Sequence, residues 1–339
     1  MNEFEPKSGS LPGTDWQPSE PPCNVWQERR RPASIAFAVS FITLFTSLIQ
    51  VVIMALISRF VPTLAYRDWY VIVLSTLPMY VIAMPLSLLF YRIGRAEPPM
   101  EKRRLSPLVL CGLLAVCFAL TYAGNIIGLI VNAILSLITG EPIVNELQEL
   151  TMNTPLWANL LFCGILAPIL EEIFYRKLVI DRLRRYGDLA AILFSGVLFG
   201  LIHGNFSQFF YAALIGILFG YIYLHTGKLR YTVALHMGVN LIGGVYSTEM
   251  LKRMDMMAFS ANPFAYIAEN AVPVAMFLLY MIFIMICFVV APVTIALVWK
   301  HIRLRKGEVE LTFGLFVKIF LLNPAVWLLL GVIVLLFVM

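Results

Sequence analysis

The stretch Glu171-Glu172-Ile173-Phe174-Tyr175-Arg176 decides how this chain is read. It closes an apolar run that begins near Leu156, where hydropathy alone has a helix still crossing a bilayer. An ionisable side chain at the centre of a membrane helix costs about 2.5–3.5 kcal/mol on insertion scales, so two carboxylates and an arginine there need partners or a task. Candidate partners lie downstream: His203, His236 and Asn240 each sit inside, or at the end of, another strongly apolar segment.

The rest of the chain is built for the same setting. Of 339 residues, 60% are hydrophobic and 13% charged, with a mean hydropathy of +0.84; a soluble domain is about half apolar and a quarter charged. The net charge of +5 is small and confined largely to short loops, which argues against a nucleic-acid partner and for an orientation signal. Cys23, Cys111, Cys117, Cys163 and Cys287 show no metal-ligand spacing and mostly fall in apolar runs, where cysteine behaves as a small hydrophobe. Residues 1–31 are polar, with Pro, Ser and Glu scattered through them, and offer no apolar core of a signal peptide.

Apolar segments follow one another at 35–57, 70–91, 108–138, 156–175, 189–202, 209–224, 232–245, 272–299 and 315–338. Each is read as a helix, because lipid offers no water to satisfy open backbone. The expected fold is therefore an all-α, polytopic transmembrane bundle of about eight or nine spans, with a cavity lined by three central helices. Positive charge concentrates in the connections 92–104, 176–185, 228–230 and 300–306, while the loop after the third segment carries Glu141, Glu146 and Glu149. Arg59, Arg67, Lys252 and Arg253 are mild exceptions. This alternation predicts a cytoplasmic N-terminus. The chain divides into a disordered cytoplasmic tail (1–32) ending in Arg29-Arg30-Arg31, N-terminal membrane helices (33–150), a core carrying the polar motifs (151–248), a polar loop (249–271) and C-terminal membrane helices (272–339). The loop reads either as ordinary connection or as an interfacial helix through Met250, Met254, Met256 and Met257.

Glu172 and Arg176 are four residues apart, on one helix face, and can pair. Glu171 is rotated about 100° from Glu172 and is free to face elsewhere. The structural alternative is that both glutamates cap a positive loop at the membrane boundary, with Arg176 and Lys177 snorkelling to water. His203 follows Phe199 by four residues, so the ring can wall one side of the imidazole. His236 and Asn240 repeat that spacing, placing an imidazole and a carboxamide on one face. Such a pair suits proton transfer or metal binding by one group and hydrogen bonding to an oxyanion by the other. With Lys177, Leu189 and Tyr231 as boundary markers, Glu171 lies roughly 9 Å deep, and His236 and Asn240 roughly 8 and 14 Å. His203, at roughly 21 Å, requires a tilted or early-starting helix to join them.

Glu171-Glu172-xxx-Arg176, Phe199-xxx-His203 and His236-xxx-Asn240 together resemble the three motifs of the CPBP (Abi/CAAX protease) intramembrane proteases, the family that includes the type II CAAX prenyl endopeptidase. The likeness covers about 156–245. It implies a membrane bundle that hydrolyses a peptide bond of a membrane protein or peptide substrate in a cavity open to the cytosol. It makes Glu171 the base that activates water, Glu172 and Arg176 its supports, His203 and His236 water or metal ligands, and Asn240 the oxyanion donor. Two histidines and a glutamate are also a known ligand set for catalytic zinc, so Glu171, His203 and His236 would hold a divalent metal if one is used. HExxH and GxGD are absent, and Ser195 lacks a GxSG context. A proton- or ion-coupled transporter and a non-catalytic immunity or binding protein are the competing readings. The expected location is a bacterial cell membrane.

Overall fold

The computed structural model describes residues 24–143 and 145–338, and all their regular secondary structure is helical. Most of the expected tail, and Cys23 with it, lies outside the described residues. Helix α1 (Val25–Phe60) starts ahead of the apolar run because Asn24 caps it, its side chain accepting from the backbone N–H groups of Trp26 and Gln27. Residues 25–32, assigned to the tail from their polarity, are therefore the first turns of α1. Arg31 is not a free cation either. It pairs with Glu28 at 3.3 Å and with Glu97 at 2.8 Å.

Next come α2 (Tyr70–Arg92), α3 (Pro107–Thr139) and α4 (Leu156–Tyr186), followed by α5 (Asp188–Leu201) and α6 (Phe206–Thr226). A helical run at 229–253 forms α7, and α8 spans Ala271–Trp299. Finally α9 (Phe313–Leu321) and α10 (Pro324–Val338) form a pair bent by 69°. Ser106 and Pro107 start α3 by side-chain capping and a preset φ, and Gly140 ends it at φ +76°.

Six of the described helices are long and apolar enough to cross a membrane, or seven if the bent pair is one span. Of the nine apolar segments, α5 and α7 do not meet that test, for different reasons. Helix α5 has 14 residues and is thus about 21 Å long, short of a hydrocarbon core of about 30 Å. Helix α7 interrupts its apolar residues with His236 and Asn240 and ends in Glu249, Lys252 and Arg253.

Helix α3 lies between α6 and α8, α1 packs on α10, and α5 runs along α6. Close approach of α5 and α6 depends on glycine: a Cβ at Gly216 would stand 3.0 Å from the Cα of Gly196. The main core, with Ile180, Phe199, Phe219 and Leu235 buried in it, fills the space among α4, α5, α6 and α7. Outward faces carry large exposed apolar side chains such as Leu129, Leu137, Met285 and Val289, as lipid contact requires. In the polar loop, Met256–Ala261 and Pro263–Glu269 are two short helices. Met250 and Met254 turn inward, whereas Met256 and Met257 are exposed.

Candidate active site

Three of the helices that build the site, α2, α4 and α7, are locally widened, whereas α5 is regular. π-helical turns occupy Pro78–Ala83 in α2, Asn159–Leu166 and Ile173–Ile180 in α4, and Val239–Tyr246 in α7. Two of them have a visible cause in the sequence. Pro85 and Pro168 follow the first two of these turns and supply no N–H to the carbonyls of Val81 and Gly164, so the ladder of i to i−4 bonds cannot run through. Turns of this kind occur often at functional sites. Here they surround the glutamate pair and contain Tyr80, Arg176 and Asn240.

Glu172 and Arg176 pair as their spacing predicts. Arg176 Nε lies 3.1 Å from Glu172 Oε2, Nη2 donates to Oε1 at 3.1 Å, and both side chains are 0% exposed. Arg176 does not snorkel, so the boundary-cap alternative falls; Lys177, its neighbour, is the exposed one. The remaining edge of the guanidinium donates from Nη1 to Ser195 Oγ at 3.2 Å, and that hydroxyl donates to Tyr175 O at 2.8 Å. The rings of Phe199 and Phe219 lie 4.9 and 5.6 Å from its Cζ. Ser195 thus anchors the arginine.

His236 reaches across from α7, and its Nδ1 is 3.1 Å from Glu172 Oε1. A carboxylate held by arginine is an acceptor only, so Nδ1 carries a proton, and in the neutral ring Nε2 is the lone-pair nitrogen. That Nε2 faces Glu171, with Oε2 at 3.8 Å. Thr232, fully buried one turn earlier on α7, lies against the same Glu172 carboxylate. Glu171 points away from the Arg176 pair, as the helical rotation requires. Its side chain is 16% exposed, and Oε1 accepts from the Tyr80 hydroxyl at 2.8 Å.

His203 sits just past the end of α5. Its Nδ1 donates to Phe199 O at 2.7 Å, which again leaves Nε2 as the free lone pair. Phe199 is the common wall: its ring meets His203 at 5.1 Å, His236 at 5.6 Å and Tyr175 at 5.1 Å between centroids. His203 is within electrostatic reach of both Glu171 and His236. It reaches the site from beyond the last turn of α5. Asn240, one turn past His236, donates from Nδ2 to Cys163 O at 2.8 Å, about two turns before Glu171 on α4. One amide proton of Asn240 is therefore committed to the backbone and one remains.

The two Nε2 lone pairs and Glu171 have the chemistry of a zinc ligand set. Their placement does not fit a metal: among the described residues no three His, Cys, Asp or Glu side chains converge to hold an ion. Sequence reasoning missed Tyr80, Thr232 and Phe219. A tyrosine in an apolar span carries no motif, and only the helix packing shows which face it uses; Tyr80 could have been flagged solely as a polar tip inside such a span.

With this geometry in view, comparison with known proteins is informative. Residues 153–242, which hold every motif residue, match the profile of the type II CAAX prenyl endopeptidase Rce1-like family. This stretch is Rce1-like. Among curated proteins, "Putative membrane peptidase YdiL" of Bacillus subtilis (strain 168) is 30% identical over 78 residues, covering 23% of this chain and 32% of that protein. "UPF0177 protein YxdF" of Lactococcus lactis subsp. lactis (strain IL1403) is 24% identical over 136 residues, or 40% of this chain and 73% of that protein. The chain thus spans about a third of the Bacillus relative and more of the Lactococcus one. No solved structure matches it.

Proposed function

We propose that the chain is an intramembrane endopeptidase of CAAX-protease type, cleaving a peptide bond in a membrane-associated protein or peptide. One observation carries this reading: of two adjacent glutamates, Glu172 is sealed and ion-paired, while Glu171 keeps access and faces the Nε2 of an imidazole held by Glu172. The Rce1-like match over 153–242 supports it.

In this reading a water bridges Glu171 Oε2 and His236 Nε2 from the open side of the pair, the two atoms being 3.8 Å apart and too far for a direct hydrogen bond. Glu171 removes a proton as the water oxygen bonds to the substrate carbonyl carbon. The oxyanion that forms accepts the remaining amide N–H of Asn240. Collapse breaks the C–N bond, and Glu171 returns the proton to the leaving amine. His203 orients the water through Nε2. Glu172, Arg176 and Thr232 fix His236, and Tyr80 fixes Glu171. No step runs through a metal. The chemistry belongs to the core at 151–248, in a cell membrane, with the N-terminus cytoplasmic; the Lys/Arg-rich loops support that orientation.

The test is a survey of protein termini in membranes from cells expressing the wild type or Glu171→Gln at matched levels. New termini that vanish in the variant are expected, and they name the substrate. Identical termini in both would overturn the peptidase reading in favour of transport or partner binding.

A further inference from the structure

A second concave site lies apart from the glutamates and shares no residue with them. It is a cavity of about 870 Å³ between α3, α6 and the C-terminal end of α8, closed on one side by the segment 300–305. Its wall is apolar and comes from all three helices, through Leu113, Val116, Leu218, Ile222, Ile295 and Val298. Its mouth is basic: Arg103, His225, Lys300, His301, Arg303 and Arg305 all line it.

The basic groups are only partly neutralised from within. Asp188, also in the lining, accepts the backbone N–H of Arg305 through Oδ2 at 2.9 Å. Arg103 pairs with Glu101 at 3.0 Å, but their side chains are 49% and 70% exposed, so the pair is weak. Among the described residues, Lys300, Arg303 and Arg305 have no salt bridge, and His225 lies within electrostatic reach of Arg103, Arg305 and His301. Like charges gathered around a slot favour an anion at its mouth. Trp299, exposed beside them, marks the level where aromatic side chains meet headgroups.

We propose that this cavity binds an anionic glycerophospholipid from the surrounding bilayer, its phosphate at the basic mouth and an acyl chain along the apolar wall. Each half of the site argues for that amphiphile. A soluble anion leaves the apolar wall uncovered, and a lipid without net charge leaves the cations unanswered. Basic pockets between membrane helices are known to take acidic headgroups. The lipid would pin the end of α8 and the 300–305 connection against α3 and α6. Nothing here depends on the peptidase reading.

The test uses the full chain in non-ionic micelles, titrated with phosphatidylglycerol or phosphatidylcholine carrying brominated acyl chains. The signal is the part of the tryptophan fluorescence lost in Trp299→Phe. Saturable quenching by phosphatidylglycerol, with an apparent affinity about tenfold or more above that for phosphatidylcholine, is expected. The triple variant Arg103→Gln, Lys300→Gln, Arg303→Gln should reduce it to the phosphatidylcholine level, and Arg59→Gln with Arg67→Gln should leave it unchanged. Equal quenching by the two lipids would overturn the proposal, as would persistence of the preference in the triple variant. Competition by free glycerol phosphate at the same concentrations would replace the lipid with a soluble anion. Should the triple variant not fold, the wild-type comparison of the two lipids still decides.

Discussion

At one end of the bundle, Glu28, Arg31, Glu97, Arg185 and Glu308 form a chain of ion pairs that joins α1, the loop after α2, the end of α4 and the loop after α8. In the interior, Glu172, Arg176 and His236 form another. The outer chain is partly wet, its Arg185 and Glu308 side chains being 29% and 67% exposed. It fastens distant segments, and its wet pair Arg185–Glu308 contributes about 0–1 kcal/mol. The inner cluster is dry. Two charges taken out of water recover little net stability from their mutual attraction, so a sealed ion pair is weak evidence of a role in stability. What sets the inner one apart is its neighbour: it fixes an imidazole whose Nε2 faces the Glu171 carboxyl group, which among the described residues has one hydrogen-bond tie, to Tyr80.

The sharpest contrast between the clusters is the cost of breaking them. Arg176→Met leaves Glu172 charged and buried, and should destabilise the protein by about 3–5 kcal/mol, seen as loss of folded material or a large fall in unfolding midpoint. Next, Asn240→Ala removes the proposed oxyanion donor and should lower kcat about 10²–10³-fold in a cleavage assay. An unchanged kcat would remove Asn240 from the chemistry and leave it as a tie to Cys163 O. Tyr80→Phe deletes one hydrogen bond to the Glu171 carboxyl group and should reduce kcat about tenfold while leaving the unfolding midpoint near that of the wild type. A fall in midpoint without loss of rate would make Tyr80 structural. The smallest effect belongs to the outer chain, where Arg185→Gln should shift stability by about 1 kcal/mol or less. A shift as large as that of Arg176→Met would erase the distinction between the two clusters.

Much of the inner cluster was legible in the sequence, because helical spacing alone determines which side chains share a face. Glu172 with Arg176, and Phe199 with His203, follow from a separation of four, and the divergence of Glu171 follows from a separation of one. Tyr80 was not legible, since its partner is 91 residues away and no local period links them. The start of α1 was also missed. Hydropathy marks where lipid begins, whereas Asn24 capping and the pairing of Arg31 with Glu97 carry the helix further back. Similarly, α5 is apolar enough to be read as a span, but its 14 residues are too few to cross a hydrocarbon core of about 30 Å.

The account rests on the division of labour between adjacent glutamates, and one paired measurement on Glu171→Gln tests it: the unfolding midpoint of the purified protein, and its rate on a substrate named by the survey of termini. A midpoint equal to the wild type with a rate reduced about 10²–10⁴-fold is predicted. Cleavage at the wild-type rate by the folded variant would contradict it.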